Sequence, residues 1–177
     1  MNIEAVFIDR DGTIGGNGHF VHPKDFSLYP FSKEALQLLK EKNIKIFVCT
    51  NQHRISRGEA SIHDFYEEFQ LLGFDDAFIC PHSPDDGCTC HKPEPGMLLE
   101  ASRKHNVDLE KTVFIGDVGA TDMLAAHAVG AMKVLVLTGW GHSSLQEYRD
   151  KWADTNPDFI AEDLMEAVRW VLRQCEQ

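Results

Sequence analysis

Short apolar runs rich in β-branched residues alternate along the chain with stretches in which apolar positions recur at helical spacing. The runs predict strands at 4–8, 45–50, 76–80, 112–116, 133–138 and 158–161, and the periodic stretches predict helices at 32–42, 61–72, 95–105, 121–129, 143–152 and 162–174. Ser32, Ser61 and Ser143 stand where helices should be capped, and Gly73 and Gly130 where they should stop. The runs at 45–50 and 112–116 are almost unbroken in apolar character, as strands are when helices cover both faces of a sheet. Strand and helix in strict alternation imply a mostly parallel, doubly wound α/β sheet.

Polar residues interrupt this pattern at the strand ends. The run Val6-Phe7-Ile8 stops at Asp9-Arg10-Asp11-Gly12-Thr13. Residues at i and i+2 share a face of a strand, so Asp9 and Asp11 are expected side by side at the C-terminal end of the first strand, where open α/β sheets bind ligands. Two carboxylates so placed call for a cation or a shared proton, which points to divalent-metal and phosphate chemistry. An Asp-rich turn closed by Gly12 is the plain structural reading of the same residues. The second strand ends in Thr50-Asn51-Gln52, Lys92-Pro93 follows the third, and Gly116-Asp117 with Asp122 follows the fourth. Singly, Thr50 reads as a cap, Lys92 as a solvated cation and Asp122 as a first-turn helix acid. Structure alone gives no reason for all of them to converge on one sheet edge.

Cys80-Pro81-His82-x5-Cys88-Thr89-Cys90 places three thiols and an imidazole within eleven residues. This is a Cys3His set for four-coordinate Zn²⁺, a metal that would shape the loop at 80–92 and hold Lys92 in place. A redox pair at Cys88-x-Cys90 is the rival reading, against the usual Cys-x-x-Cys spacing. Five cysteines, an odd number so spaced, do not make a disulfide framework.

The chain has 177 residues, 43% hydrophobic and 25% charged, which fits one domain over residues 1–177. A net charge of −11, with scattered Lys and Arg, repels nucleic acid and anionic membrane. The early apolar run is cut by charges and no stretch approaches the ~20 apolar residues of a membrane span, so a cytoplasmic protein is expected; the charge favours a small partner, the strand-end acids make it a phosphate ester, and a monomer is the default expectation.

Asp9-x-Asp11-Gly12-Thr13, Thr50-Asn51, Lys92-Pro93 and Gly116-Asp117-x4-Asp122 resemble, in order and spacing, the haloacid dehalogenase-like superfamily of phosphohydrolases. The resemblance implies a three-layer, Rossmann-like, doubly wound fold without a separate cap domain. It implies Asp9 as the nucleophile that becomes an aspartyl-phosphate, Asp11 as general acid and then base, and Thr50 and Lys92 as the groups that steady the phosphoryl oxygens. Mg²⁺ would be held by Asp9, the Asp11 carbonyl and Asp117, with Asp122 behind them.

The cysteine loop resembles the zinc-containing branch of histidinol-phosphatases and D-glycero-D-manno-heptose-1,7-bisphosphate 7-phosphatases. The five-residue spacer from His82 to Cys88 favours the former; Thr50-Asn51-Gln52 with Arg57-Gly58, and Lys92-Pro93-x-Pro95-Gly96-Met97, favour the latter. Asn17, His19 and Phe20 match the substrate loop in position, and Asn51, Gln52, His53 and His91 are further candidates for substrate contact. The chain departs from both at His91, where Arg usually precedes the motif lysine, at Val118, in a spacing to Asp122 one residue longer, and at His53-Arg54, where a small residue follows the Gln. Arg54, Arg57 and His91 are either a shifted anion-binding set or solvated loop residues. A polynucleotide 3′-phosphatase and a non-enzymatic zinc-stabilised interaction module are the competing functions.

Overall fold

The computed structural model describes residues 1–177. Six parallel strands form one sheet in the order β3-β2-β1-β4-β5-β6: β1 Ala5–Ile8, β2 Lys45–Asn51, β3 Asp76–Cys80, β4 Thr112–Gly116, β5 Met132–Val136 and β6 Phe159–Ala161. The chain winds outward through β2 and β3, returns to place β4 beside β1, and winds outward again on the other side. Ile8 lies between Val48 and Ile115, so β1 and β4 run out together at the point where the winding reverses. A crevice opens at such a switch point.

Alternation along the strands divides the core in two. Val6, Ile8, Ile46, Val48, Val113 and Ile115 meet the apolar stripes of α1 (Ser32–Glu41), α2 (Ile62–Leu71) and α6 (Leu164–Cys175), through Leu36, Leu39, Phe65, Phe69, Val168 and Val171. Phe7, Phe47, Phe114 and Leu135 face the opposite way, onto α3 (Gly96–His105), α4 (Leu124–Ala128) and Trp152. Each side chain in these layers is buried at or near completely, worth ~2 kcal/mol apiece for the larger ones. The expected three-layer, doubly wound α/β architecture is the one found.

Four local expectations change. Ser61 caps α2 by accepting from His63 N at 3.1 Å, but Ser32 lies inside α1, where its hydroxyl donates to Ile14 O at 2.8 Å. A tertiary partner has taken the group a cap would use. The helix expected at 121–129 begins as a wide turn at Gly119–Met123, where Leu124 N reaches back five residues to Gly119 O, and only then becomes α4. Such a bulge absorbs one extra residue, which is the excess in the spacing from Asp117 to Asp122.

The helix expected at 143–152 is instead the short α5 (Gly141–Leu145) and a separate 3-10 turn at Arg149–Trp152. Ser143 is therefore interior to α5 and caps nothing. The break lets Trp152 fold back under the sheet, with its indole N–H donating to Ser144 O at 2.8 Å. The last helix starts two residues late, at Leu164, because Asp163 caps it by accepting from Glu166 N at 2.9 Å.

Candidate active site

Asp9 follows β1 and still belongs to its ladder, donating its N–H to Ile115 O at 3.0 Å. Its carboxylate converges with those of Asp117, at the end of β4, and Asp122, in the wide turn: one oxygen from each lies within 4.8 Å of the others. All three are buried. Gly12, at φ +87°, and Gly139, at φ +55°, press their backbones against Asp117, leaving no room for a Cβ. Asp117 accepts from Thr13 Oγ1 at 3.2 Å and from Trp140 N at 2.8 Å, which fixes the carboxylate from both sides.

Lys92 reaches this cluster from the loop after β3. Its ammonium donates to Asp122 at 2.6 Å, to Asp9 at 3.1 Å and to Cys49 O at 2.9 Å, so all three N–H bonds are engaged. Burial alone would push Lys92 down, but the Asp122 and Asp9 carboxylates outweigh it and hold the lysine above its ordinary value. Asn51 clasps the same residue by its backbone, donating to Lys92 O at 3.1 Å and accepting from Lys92 N at 2.9 Å.

One ammonium does not neutralise three buried carboxylates. Burial, then the neighbouring Asp9 and Asp122 charges, raise Asp117 well above the usual carboxylate range. Burial and Asp9 raise Asp122 to about 7 against the pull of Lys92. A hard divalent cation among these oxygens removes that repulsion, so the donor set suits Mg²⁺.

Asp11 lines the same cavity as Asp9 but is not part of the three-carboxylate cluster. Its carboxylate is held by two donors: Oδ1 accepts from Arg10 Nη1 at 2.7 Å and Oδ2 from Gln52 Nε2 at 2.7 Å. Only its backbone carbonyl remains as a candidate metal ligand. Burial, offset in part by Arg10, raises this carboxyl to about 6, which keeps a proton within reach near neutrality.

The charge that holds Asp11 escaped the sequence reading. Arg10 is completely buried, forks onto Glu68 of α2 at 2.7 and 2.9 Å, and lies between the rings of Phe26 and Phe65 at 3.8 and 4.8 Å. Strand parity was the available signal, since Arg10 continues the face of Val6 and Ile8, the face that α2 covers.

Asp9, Asp11, Thr50 and Lys92 floor a cavity of about 190 Å³, with Phe20, Asn51, Gln52, His53, Arg54 and Val118 around it. Thr50 accepts from Gln52 Nε2 at 3.0 Å. Of Asn17, His19 and Phe20 only Phe20 reaches the lining, with Gly18 beside it: His19 packs edge-on against Trp140 at 5.1 Å, and Asn17 accepts from His19 N at 3.0 Å. His91 does not line the cavity either. Its Nδ1 lies 3.8 Å from Cys80 Sγ. A larger hollow of about 430 Å³ against α2 contains none of the strand-end residues.

Cys80, His82, Cys88 and Cys90 do come together. Their ligating atoms lie within 4.8 Å of one another, with Cys80 Sγ 3.2 Å from Cys90 Sγ, 3.7 Å from Cys88 Sγ and 3.5 Å from His82 Nδ1. Tetrahedral zinc–thiolate bonds set S···S edges of ~3.8 Å; the Cys80–Cys88 edge matches, the Cys80–Cys90 edge is shorter, and the donor types are those of a structural zinc set.

Comparison with known proteins bears on what this arrangement is. The HAD-hydrolase-like family model matches residues 89–167. A D-glycero-beta-D-manno-heptose-1,7-bisphosphate 7-phosphatase of Vibrio cholerae is 37% identical over 153 residues, covering 76% of this chain and 82% of that protein. The enzyme of the same name from Bordetella bronchiseptica is 33% identical over 82% of this chain and 87% of its own length.

The chain belongs to the haloacid dehalogenase-like phosphatases. As a haloacid dehalogenase-like phosphatase it is a phosphoric monoester hydrolase. A crystal structure of the B. bronchiseptica D,D-heptose 1,7-bisphosphate phosphatase, complexed with magnesium and phosphate, superposes with a TM-score of 0.81 at 30% identity, over 97% of this chain and 99% of that one.

Proposed function

We propose that this phosphatase is a Mg²⁺-dependent sugar-bisphosphate phosphatase of the heptose-1,7-bisphosphate class, acting in the cytoplasm as a single-domain monomer. The convergence of Asp9, Asp11, Thr50 and Lys92 from successive strand ends onto one small cavity, with Asp117 clustered behind Asp9, carries the reading. The Mg²⁺ and phosphate named for the B. bronchiseptica enzyme, and the names of the relatives, support it.

An Asp9 carboxylate oxygen attacks phosphorus while the ester P–O bond breaks. The leaving sugar oxygen takes its proton from Asp11, whose carboxyl Arg10 and Gln52 aim into the cavity. Water then attacks the aspartyl-phosphate, giving a proton back to Asp11, and the P–O bond to Asp9 breaks to release inorganic phosphate. Lys92 and the Thr50 hydroxyl oppose the charge on the non-bridging oxygens. Mg²⁺, held by Asp9, Asp117 and the Asp11 carbonyl, supplies charge neutralisation at phosphorus and relieves the repulsion among the buried acids. Asp122 holds Lys92. Zn²⁺ at Cys80, His82, Cys88 and Cys90 fixes the loop that delivers Lys92, two residues beyond Cys90.

Phosphate release is measured with Mg²⁺ from heptose 1,7-bisphosphate, other sugar phosphates, histidinol phosphate and a 3′-phosphorylated oligonucleotide. Preference for the heptose bisphosphate, lost in folded Asp9→Asn, supports the proposal. Preference for histidinol phosphate or the oligonucleotide, or an unaltered rate in Asp9→Asn, overturns it.

A further inference from the structure

A bisphosphate brings a second anionic group, and most cations near the cavity are already engaged. Lys92 gives all three N–H bonds to Asp9, Asp122 and Cys49 O. Arg10 is enclosed between Asp11 and Glu68. Arg57 is exposed and outside the lining, and His91 is turned to the cysteine cluster.

Arg54 is different. It lines the cavity from the short turn His53–Arg57 that directly follows β2 and closes at Gly58, φ +72°. Its guanidinium lies over the Phe20 ring at 5.2 Å. Only Nη1 has hydrogen-bond partners, the two carboxylate oxygens of Glu59, both at a loose 3.4 Å. Nε is the one buried side-chain nitrogen or oxygen in the protein with no hydrogen-bond partner. An N–H taken out of water without an acceptor is costly, and such an atom at the wall of a binding cavity marks where an acceptor belongs. The Nε and Nη2 edge of a guanidinium is the fork that takes two oxygens of one phosphate.

We infer that Arg54 is the specificity residue for the second anionic group of the substrate, its guanidinium turning from Glu59 to grip a distal phosphate, which opens the enclosed Nε to an acceptor, beside the Phe20 ring. The inference rests on the sugar-bisphosphate reading. It places distal recognition in the turn after β2, and it assigns Glu59 as a weak placeholder that the phosphate displaces.

The test is the ratio of kcat/KM for heptose 1,7-bisphosphate to that for heptose 7-phosphate, with the Mg²⁺- and Zn²⁺-loaded enzyme. Arg54→Ala is expected to lower this ratio roughly 30- to 100-fold, as loss of a doubly charged hydrogen-bonded contact does, mostly through KM of the bisphosphate. Arg54→Lys recovers part of the loss, because charge returns without the fork. Glu59→Gln lowers the bisphosphate KM. If Arg54→Ala fails to fold, Arg54→Gln makes the same comparison. A ratio that Arg54→Ala or Arg54→Gln leaves in place overturns the role of Arg54 while the function stands. A wild-type enzyme that releases phosphate from no sugar bisphosphate overturns both.

Discussion

Replacing Glu68 by Gln should destabilise the protein far more than a helix-surface substitution does. Glu68 accepts two charge-assisted hydrogen bonds, at 2.7 and 2.9 Å, from an arginine whose side chain is 0% exposed, and is itself only 12% exposed. Breaking a buried ion pair costs about 3–5 kcal/mol because the remaining charge stays desolvated. Here Asp11 still pairs with Arg10 at 2.7 Å and the Phe26 and Phe65 rings still flank it, so the lower end applies, ~3 kcal/mol. For a chain of 177 residues that lowers Tm by about 6–12 °C.

Thermal and urea unfolding of the metal-loaded enzyme measure it, in a cycle with Arg10→Met. Once the guanidinium is gone Glu68→Gln should cost little more, so the double variant should lie close to Arg10→Met alone. The chemistry supplies a second readout. Glu68 shares the Arg10 charge with Asp11 and helps keep the Asp11 carboxyl raised, so its loss leaves Asp11 more ionised and a weaker proton donor. Turnover of a sugar phosphate, whose leaving oxygen needs that proton, should fall more than turnover of an aryl phosphate with a good leaving group. A destabilisation below ~1 kcal/mol, or strictly additive losses in the cycle, would refute the placement of this ion pair at the centre of the acid's support.

Three further outcomes are expected. Without Mg²⁺ the folded protein holds Asp122 at about 7, against an ordinary 3.8, so between pH 8 and 6 it takes up protons that the unfolded chain does not. Stability should therefore rise as pH falls across that window, and added Mg²⁺ should flatten the dependence; unfolding midpoints at the two pH values check the sign. Cys88→Ser should remove the zinc, lower the melting temperature and reduce kcat at least tenfold by loosening the Lys92 loop, and a variant that retains a full zinc equivalent by mass spectrometry would defeat the Cys3His assignment. Gly116→Ala should reduce kcat ~100-fold, because the added methyl would overlap the Asp122 carboxylate and displace the partner of Lys92; steady-state kinetics on the folded variant test this.

Local patterning determined the sheet. Apolar runs of β-branched residues located all six strands within two residues at each end, because pleat and burial act on neighbours in sequence. The acids at the strand ends, Thr50 and Lys92, and the cysteine cluster were also legible, since their chemistry depends on residue type and order along the chain. What the sequence left open depended on partners far away in it. The Asp11 carboxyl is held by Gln52, from the end of another strand, and Arg10, a spacer to the eye, is among the most deeply buried charges because Phe26, Phe65 and Glu68 close over it. The choice among Arg54, Arg57 and His91 was undetermined for the same reason. Only the packing turns His91 to the cysteines and leaves Arg54 on the cavity wall with an unmatched N–H. Periodicity fixes which residues can be buried; which buried charges meet is decided when elements 40 to 60 residues apart are brought into contact.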